Sequence, residues 1–286
     1  MGLNSNIKMI NSTTCHCCSF DVFKSIIKDR AIRLCDMRNS NDPKEVIAAS
    51  EYILSLIEEE YEKTNNKKYL LLREIFKTEL PEFNPYVVSF TNLVNETIFA
   101  RYAKNGEGVG INFHSSKFGI GIYLVNDHKD IYYVPVFYNP EDSKEFAMTI
   151  INAYIEEKIE IDEAALELLK ISCMYKTPEW KDEKEIRIYY VPSEKKLLGD
   201  RLYFEKDGQK RSYYNLTFDK FDKENIVEDI ILGPNFNMDN IPEVNALLNE
   251  NGFGYVNVYS YEKAYEESLN KVKELGYICS NKVSTF

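Results

Sequence analysis

The chain has 286 residues, 44% of them hydrophobic and 28% charged, which is ordinary for a soluble protein with a sizeable core. Its formal net charge of -11 excludes broad wrapping of nucleic acid and adhesion to an anionic membrane surface, leaving room only for a local basic patch. The six cysteines (Cys15, Cys17, Cys18, Cys35, Cys173, Cys279) lack the spacing of a disulfide framework. No signal peptide is legible, and no apolar run nears the ~20 residues of a membrane span, so a reduced, soluble, cytoplasmic protein is expected.

Taken in order, residues 1–11 are polar, and Ser12 to Cys18 reads as a first strand. Phe20, Phe23, Ile26 and Ile27 recur at helical spacing, predicting a helix over Asp21 to Lys28 with Ser19 or Asp21 as its cap. Ala31 to Cys35 reads as a strand. After a loop ending at Pro43, Lys44 to Glu62 reads as an amphipathic helix with Val46, Ile47, Ile53, Leu56 and Ile57 inward. Asn65-Asn66 breaks it, and Lys68 to Lys77 forms a second helix, so residues 43–80 read as a helical insertion. Tyr86 to Thr91 is a strand, Asn95 to Lys104 a helix, and Gly108 to Phe113 a strand. Gly121 to Val125 and Ile131 to Tyr138 are strands around the turn at Asn126-Asp127.

Two helices fill residues 141–173, with Ile150, Ile151, Ile155, Leu166, Leu168 and Leu169 buried. Trp180 to Tyr190 reads as a strand, and Lys195 to Gln209 as a polar loop with a hairpin signal at Asp207-Gly208. Strands at Arg211 to Phe218, Glu228 to Leu232 and Tyr255 to Tyr259 follow, with helices at Ile241 to Asn249 and Lys263 to Leu275. No repeat, linker or boundary is legible, so the expectation is one domain over 1–286. The irregular mixture of strands and helices gives an α+β fold class with a mixed, largely antiparallel core.

The stretch Glu183-Lys184-Glu185-Ile186-Arg187 concentrates the chemistry. On a strand, Glu183, Glu185 and Arg187 share one face, because side chains alternate. Two carboxylates and a guanidinium on one strand face are costly to bury unless they pair or bind something. The alternatives are a ligand site and an exposed face of cross-strand ion pairs. Ser89 and Thr91 likewise share a face, where hydroxyls hydrogen-bond a carboxylate or substrate; the competing role is a strand exit in which Thr91 or Asn92 caps the next helix. Arg101 on a helix is a solvated charge or an anion contact. Cys15-His16-Cys17-Cys18 offers metal-ligand types, but adjacent residues on one strand point to opposite faces and no second spaced pair follows, so no metal is expected. His114 and His128 carry no assigned role. No Gly-rich phosphate loop, nucleophile elbow, HExxH or EF-hand occurs.

The order of these landmarks resembles a bacterial and phage family, domain of unknown function 2971. The resemblance runs over residues 12 to 260: His16 on a first strand, Asn41-Asp42-Pro43-x-Glu45, Val88-Ser89-Phe90-Thr91, Phe99-Ala100-Arg101-Tyr102-Ala103, Trp180-x-x-Glu183-x-Glu185-x-Arg187 and Ile230-Ile231-Leu232-Gly233. Phe99 stands where that family leads one to expect tryptophan, and the cysteine-rich first strand is unusual for it.

The order His, then Ser-x-Thr, then Glu-x-Glu also resembles the three-part site of ADP-ribosyltransferases. That resemblance implies a split-sheet core and NAD as substrate. It places His16 on the ribose, Ser89 and Thr91 behind Glu185, and Glu185 beside the nicotinamide ribose. Glu183 would serve the acceptor, Tyr102 would stack a ring, and Arg101 or Arg187 would meet the pyrophosphate. Cleavage of the nicotinamide–ribose bond passes through an oxocarbenium-like state, which a fixed carboxylate stabilises. The implied protein is an ADP-ribosyltransferase or NAD glycohydrolase, a toxin or phage-defence effector with an unidentified macromolecular target. The alternatives are a non-catalytic nucleotide-sensing or protein-interaction module and a magnesium nuclease built on Asp42, Glu45, Glu183 and Glu185. Acidity and the lack of a basic groove count against the nuclease.

Overall fold

The computed structural model describes residues 13–39, 45–92, 94–115, 117–118, 131–192, 199–206, 208–217, 226–264 and 266. It is an α+β protein with a mixed, mostly antiparallel open sheet and helices. Its contacts divide it into two compact units: residues 1–32, 90–127 and 217–286, and residues 33–89 and 128–216.

In the first unit, β1 (Thr13–Cys18) runs antiparallel to β4 (Val109–His114), which runs antiparallel to β9 (Val227–Leu232). The short β10 (Asn257–Tyr259) adds parallel to β9. On the other side of β1, Cys15 lies opposite Thr91 of β3 (Tyr86–Thr91), a strand whose first four residues belong to the second unit. Helix α1 (Phe20–Asp29) starts at Ser19, whose hydroxyl accepts from the Val22 amide, and buries Phe23, Ile26 and Ile27, the periodic set read from sequence. Helix α4 (Glu96–Tyr102) is capped by Asn95 rather than by Thr91 or Asn92. A later helix is α7 (Ile241–Glu250). The loop after α4 runs backbone against backbone: Gly233 donates to the Gly108 carbonyl at 2.9 Å, and a Cβ on Gly108 would strike the Cys18 carbonyl. These positions take glycine for want of space.

In the second unit, Tyr86–Ser89 of β3 pairs on one side with β6 (Glu185–Tyr190), which pairs with β5 (Ile131–Pro135). On its other side come β2 (Ala31–Asp36), β8 (Gln209–Thr217) and β7 (Leu202–Lys206). Helices α2 (Glu45–Thr64), α3 (Lys67–Glu79), α5 (Pro140–Ile155) and α6 (Ile161–Ser172) pack together, and Ile53, Leu56, Leu72, Phe76, Ile151 and Leu168 fill their core. Val87 and Tyr189 join that core from the sheet.

Most predicted elements fall within a few residues of their observed bounds, and four readings change. Trp180–Tyr190 is not one strand: a 3-10 helix over Pro178–Glu183 precedes β6. The 195–209 loop contains β7, whose Leu202 to Lys206 pair with Gln209 to Tyr213. Ile47 and Leu166, predicted inward, are exposed because each lies off its helix's packed stripe. The strand expected from Ile131 to Tyr138 ends at Pro135, beyond which an isolated bridge joins Phe137 to Tyr175. The strand at 121–125, the turn at 126–127, the segment 41–44 and the final helix beyond residue 266 lie outside the described residues.

Candidate functional site

The second unit gathers the charged residues of the Glu183–Arg187 stretch. Glu185, at the start of β6, is 4% exposed, and Arg187, two residues on and on the same strand face, is 2% exposed. Glu183 is 3% exposed but reaches this face by another route. It ends the 3-10 helix begun at Pro178, and Lys184 takes a left-handed conformation (φ 46°) that turns the chain into the strand. A fourth member, Lys176, comes from the segment after α6 and is 5% exposed. Hydrogen bonds from Phe137 to the Met174 carbonyl and from the Lys176 amide to the Phe137 carbonyl fix that segment.

The cluster is closely bonded. The Lys176 ammonium donates to Glu183 at 2.6 Å and to Glu185 at 3.0 Å, and lies 4.7 Å from the centre of the Trp180 ring. Arg187 Nε donates to Glu185 Oε1 at 2.6 Å, and Nη2 approaches Oε2 at 3.3 Å, a forked pairing. Arg187 Nη1 donates to the carbonyls of Cys173 and Tyr175 at 3.0 and 3.3 Å. The Ser89 hydroxyl, from β3, donates to Glu185 Oε1 at 2.5 Å, and the Glu185 amide donates to the Tyr138 hydroxyl at 2.7 Å. Two carboxylates thus face two cations, and the four formal charges cancel. Burial alone would raise the Glu185 carboxyl. The charges of Arg187 and Lys176, with hydrogen bonds from Arg187 and Ser89, overcome it and lower the pKa from 4.5 to about 2. Glu185 is therefore ionised throughout the physiological range, suited to stabilising positive charge and unsuited to proton transfer near neutrality.

The structure brings together Ser89, Glu183, Glu185 and Arg187 of the residues singled out from sequence. Arg187, expected at a pyrophosphate, instead directs its guanidinium at Glu185 and two main-chain carbonyls. The remaining four belong to the first unit. His16 is half-buried on β1 opposite Ile111, its ring 5.6 Å from that of Phe90. Thr91 is buried. Arg101 and Tyr102 end α4, the first exposed and the second half-buried. Sequence reasoning missed Lys176 and Tyr138. Both sit on irregular segments without periodicity, and the only local sign was a lone lysine next to Thr177-Pro178, four residues before Trp180. Among the described residues no group of three or more His, Cys, Asp or Glu is placed to hold a metal ion, and no helix is long and apolar enough to cross a membrane. Asp42 lies outside the described residues, and the Glu183 and Glu185 oxygens that would serve a metal already receive Lys176 and Arg187.

Residues 98–188 match the model of a family described as a protein of unknown function, DUF2971. That span includes all but the first two residues of α4, the whole of β4 and every member of the buried cluster except Ser89. No curated protein matches the chain, and no solved structure matches it.

Proposed function

We propose that the protein is an NAD-cleaving, ADP-ribosyltransferase-like enzyme in which Glu185 is the fixed carboxylate beside the nicotinamide-bearing ribose. The observation that carries the reading is the Ser89–Glu185 hydrogen bond between neighbouring strands, with Glu185 kept ionised by Arg187 and Lys176. An anion held rigidly and always charged is what an oxocarbenium-like transition state requires. Glu183, sharing Lys176 with Glu185, lies next to it on the acceptor side. By the same resemblance the protein acts in the cytoplasm as a toxin or phage-defence effector on a macromolecular target. The full chain incubated with NAD and cell extract is expected to release nicotinamide, measured chromatographically, with E185Q slower by roughly 10²-fold or more. No release by the wild type, or equal release by a folded E185Q variant, overturns the reading.

One observation favours a second reading, a non-catalytic nucleotide-sensing or interaction module. Both Glu185 oxygens are engaged and its side chain is 3% exposed, so a ribose hydroxyl must displace an existing donor to reach it. On that reading E185Q lowers stability alone and NAD is left intact.

A further inference from the structure

The helical layer of the second unit covers its sheet only in part. Val87 packs against the helical core, whereas Ser89, two residues along β3 on the same face, is exposed. On β2, Cys35 lies opposite Val87, so Arg33, two residues along in the opposite direction, falls on the same face as Ser89 and is also exposed. Past β2 come β8 and β7. There Leu202 opposes Tyr213 and Phe204 opposes Arg211, so these four side chains share a face. The Arg33 guanidinium lies 4.7 Å from the Tyr213 ring centre and 5.7 Å from that of Phe204. Among the described residues no carboxylate pairs with it, in a chain of net charge -11.

Rings of this kind steady a guanidinium through its flat face and leave its N–H edges available. Those edges match two oxygens of a phosphate. The buried Arg187 is committed to Glu185 and to main-chain carbonyls, so it cannot play that part. We propose that Arg33, held by Tyr213 and Phe204, is a phosphate-binding residue. It would grip the pyrophosphate of a nucleotide whose other end meets Ser89 and Glu185. The identity of the nucleotide rests on the reading of the Glu185 cluster as an NAD site; the phosphate contact does not.

The test uses ADP and inorganic pyrophosphate, which carry the phosphates without nicotinamide, titrated calorimetrically into the full chain. Wild type is expected to bind both. R33Q is expected to bind at least about tenfold more weakly and R33K to fall between them. K210Q, on the opposite face of the hairpin where Lys210 covers Tyr203, removes the same charge and is expected to bind within about twofold of wild type. Y213L, which removes the ring and keeps the charge, is expected to weaken binding as well, with melting curves confirming that each variant folds. No ADP or pyrophosphate binding by wild type, or equal binding by R33Q and wild type, overturns the site. The enzymatic reading fails separately: ADP binding that depends on Arg33 with no NAD cleavage upholds the site and sinks the reaction. Cleavage that needs Glu185 with a KM unchanged in R33Q does the reverse.

Discussion

The strand that carries Cys15 and the strand that carries Glu185 both bury polar side chains, and they do so by opposite means. On β1 the buried groups stay neutral. The Thr14 hydroxyl meets that of Ser115 at 2.5 Å. Cys15 shares a sulfur contact with Cys17 at 3.7 Å, which together with burial and the nearby Asp229 charge raises its thiol well above the ordinary range; burial does the same for Cys18. On β6 the buried carboxylate of Glu185 stays charged, because Lys176 and Arg187 lie within hydrogen-bond reach of it. Burial penalises charge in both places. What decides the outcome is whether a counter-charge can be supplied from a nearby segment. The Lys176 segment supplies one; among the described residues no cation pairs with Cys18.

The sharpest way to break this contrast is to remove the counter-charge. Lys176→Met removes the cation that Glu183 and Glu185 share, leaves Arg187 on Glu185, and should lower unfolding stability in urea by about 3–5 kcal/mol. A loss under about 1 kcal/mol would mean that the pairing contributes little. Next in size is the pH dependence. The Glu185 carboxyl is depressed from 4.5 to about 2 in the folded state, so its contribution is complete above pH 4.5 and is lost as pH falls toward 2. The shift corresponds to about 3 kcal/mol. Urea titrations between pH 7 and 3 should show E185Q with a visibly flatter acid limb than wild type; parallel limbs would place the acid sensitivity elsewhere. Ser89→Ala removes one donor at an exposed position and should cost about 1 kcal/mol, read from the same denaturation curves. The smallest perturbation leaves the fold intact: brief thiol labelling followed by mass spectrometry should modify the half-buried Cys17 and Cys35 before the buried Cys15, Cys18 and Cys173. Equal labelling at all five would show that β1 does not keep its thiols sheltered.

How much was legible in advance follows the same division between regular and irregular chain. The helices at 45–64 and 67–79 were readable because an apolar stripe repeats through each, and β3 was readable to the residue from Tyr86 to Thr91. Glu185 and Arg187 were correctly placed on one face, since both stand on β6 and a strand alternates. Glu183 was placed beside them for a reason that does not hold: it stands on a 3-10 helix, and a left-handed Lys184 brings it round. Local patterns carry no information about such a turn at a non-glycine residue. Lys176 was unreadable for a different reason. Its position depends on the bridge between Phe137 and Tyr175, a pairing across more than thirty residues that no periodicity encodes. Arg33 stands in a predicted strand, yet its role depends on a hairpin whose first strand had read as a polar loop.

The cancellation of charge among Lys176, Glu183, Glu185 and Arg187 also bears on how this sequence drifts through descent. A lineage that loses the lysine inherits a chain with a surplus buried anion, and one that first loses Glu183 inherits a surplus buried cation; either ancestor is handicapped until the other position follows. Residues 176 and 183 are therefore expected to be replaced together or not at all, while Lys181 and Lys184, exposed between them, vary independently.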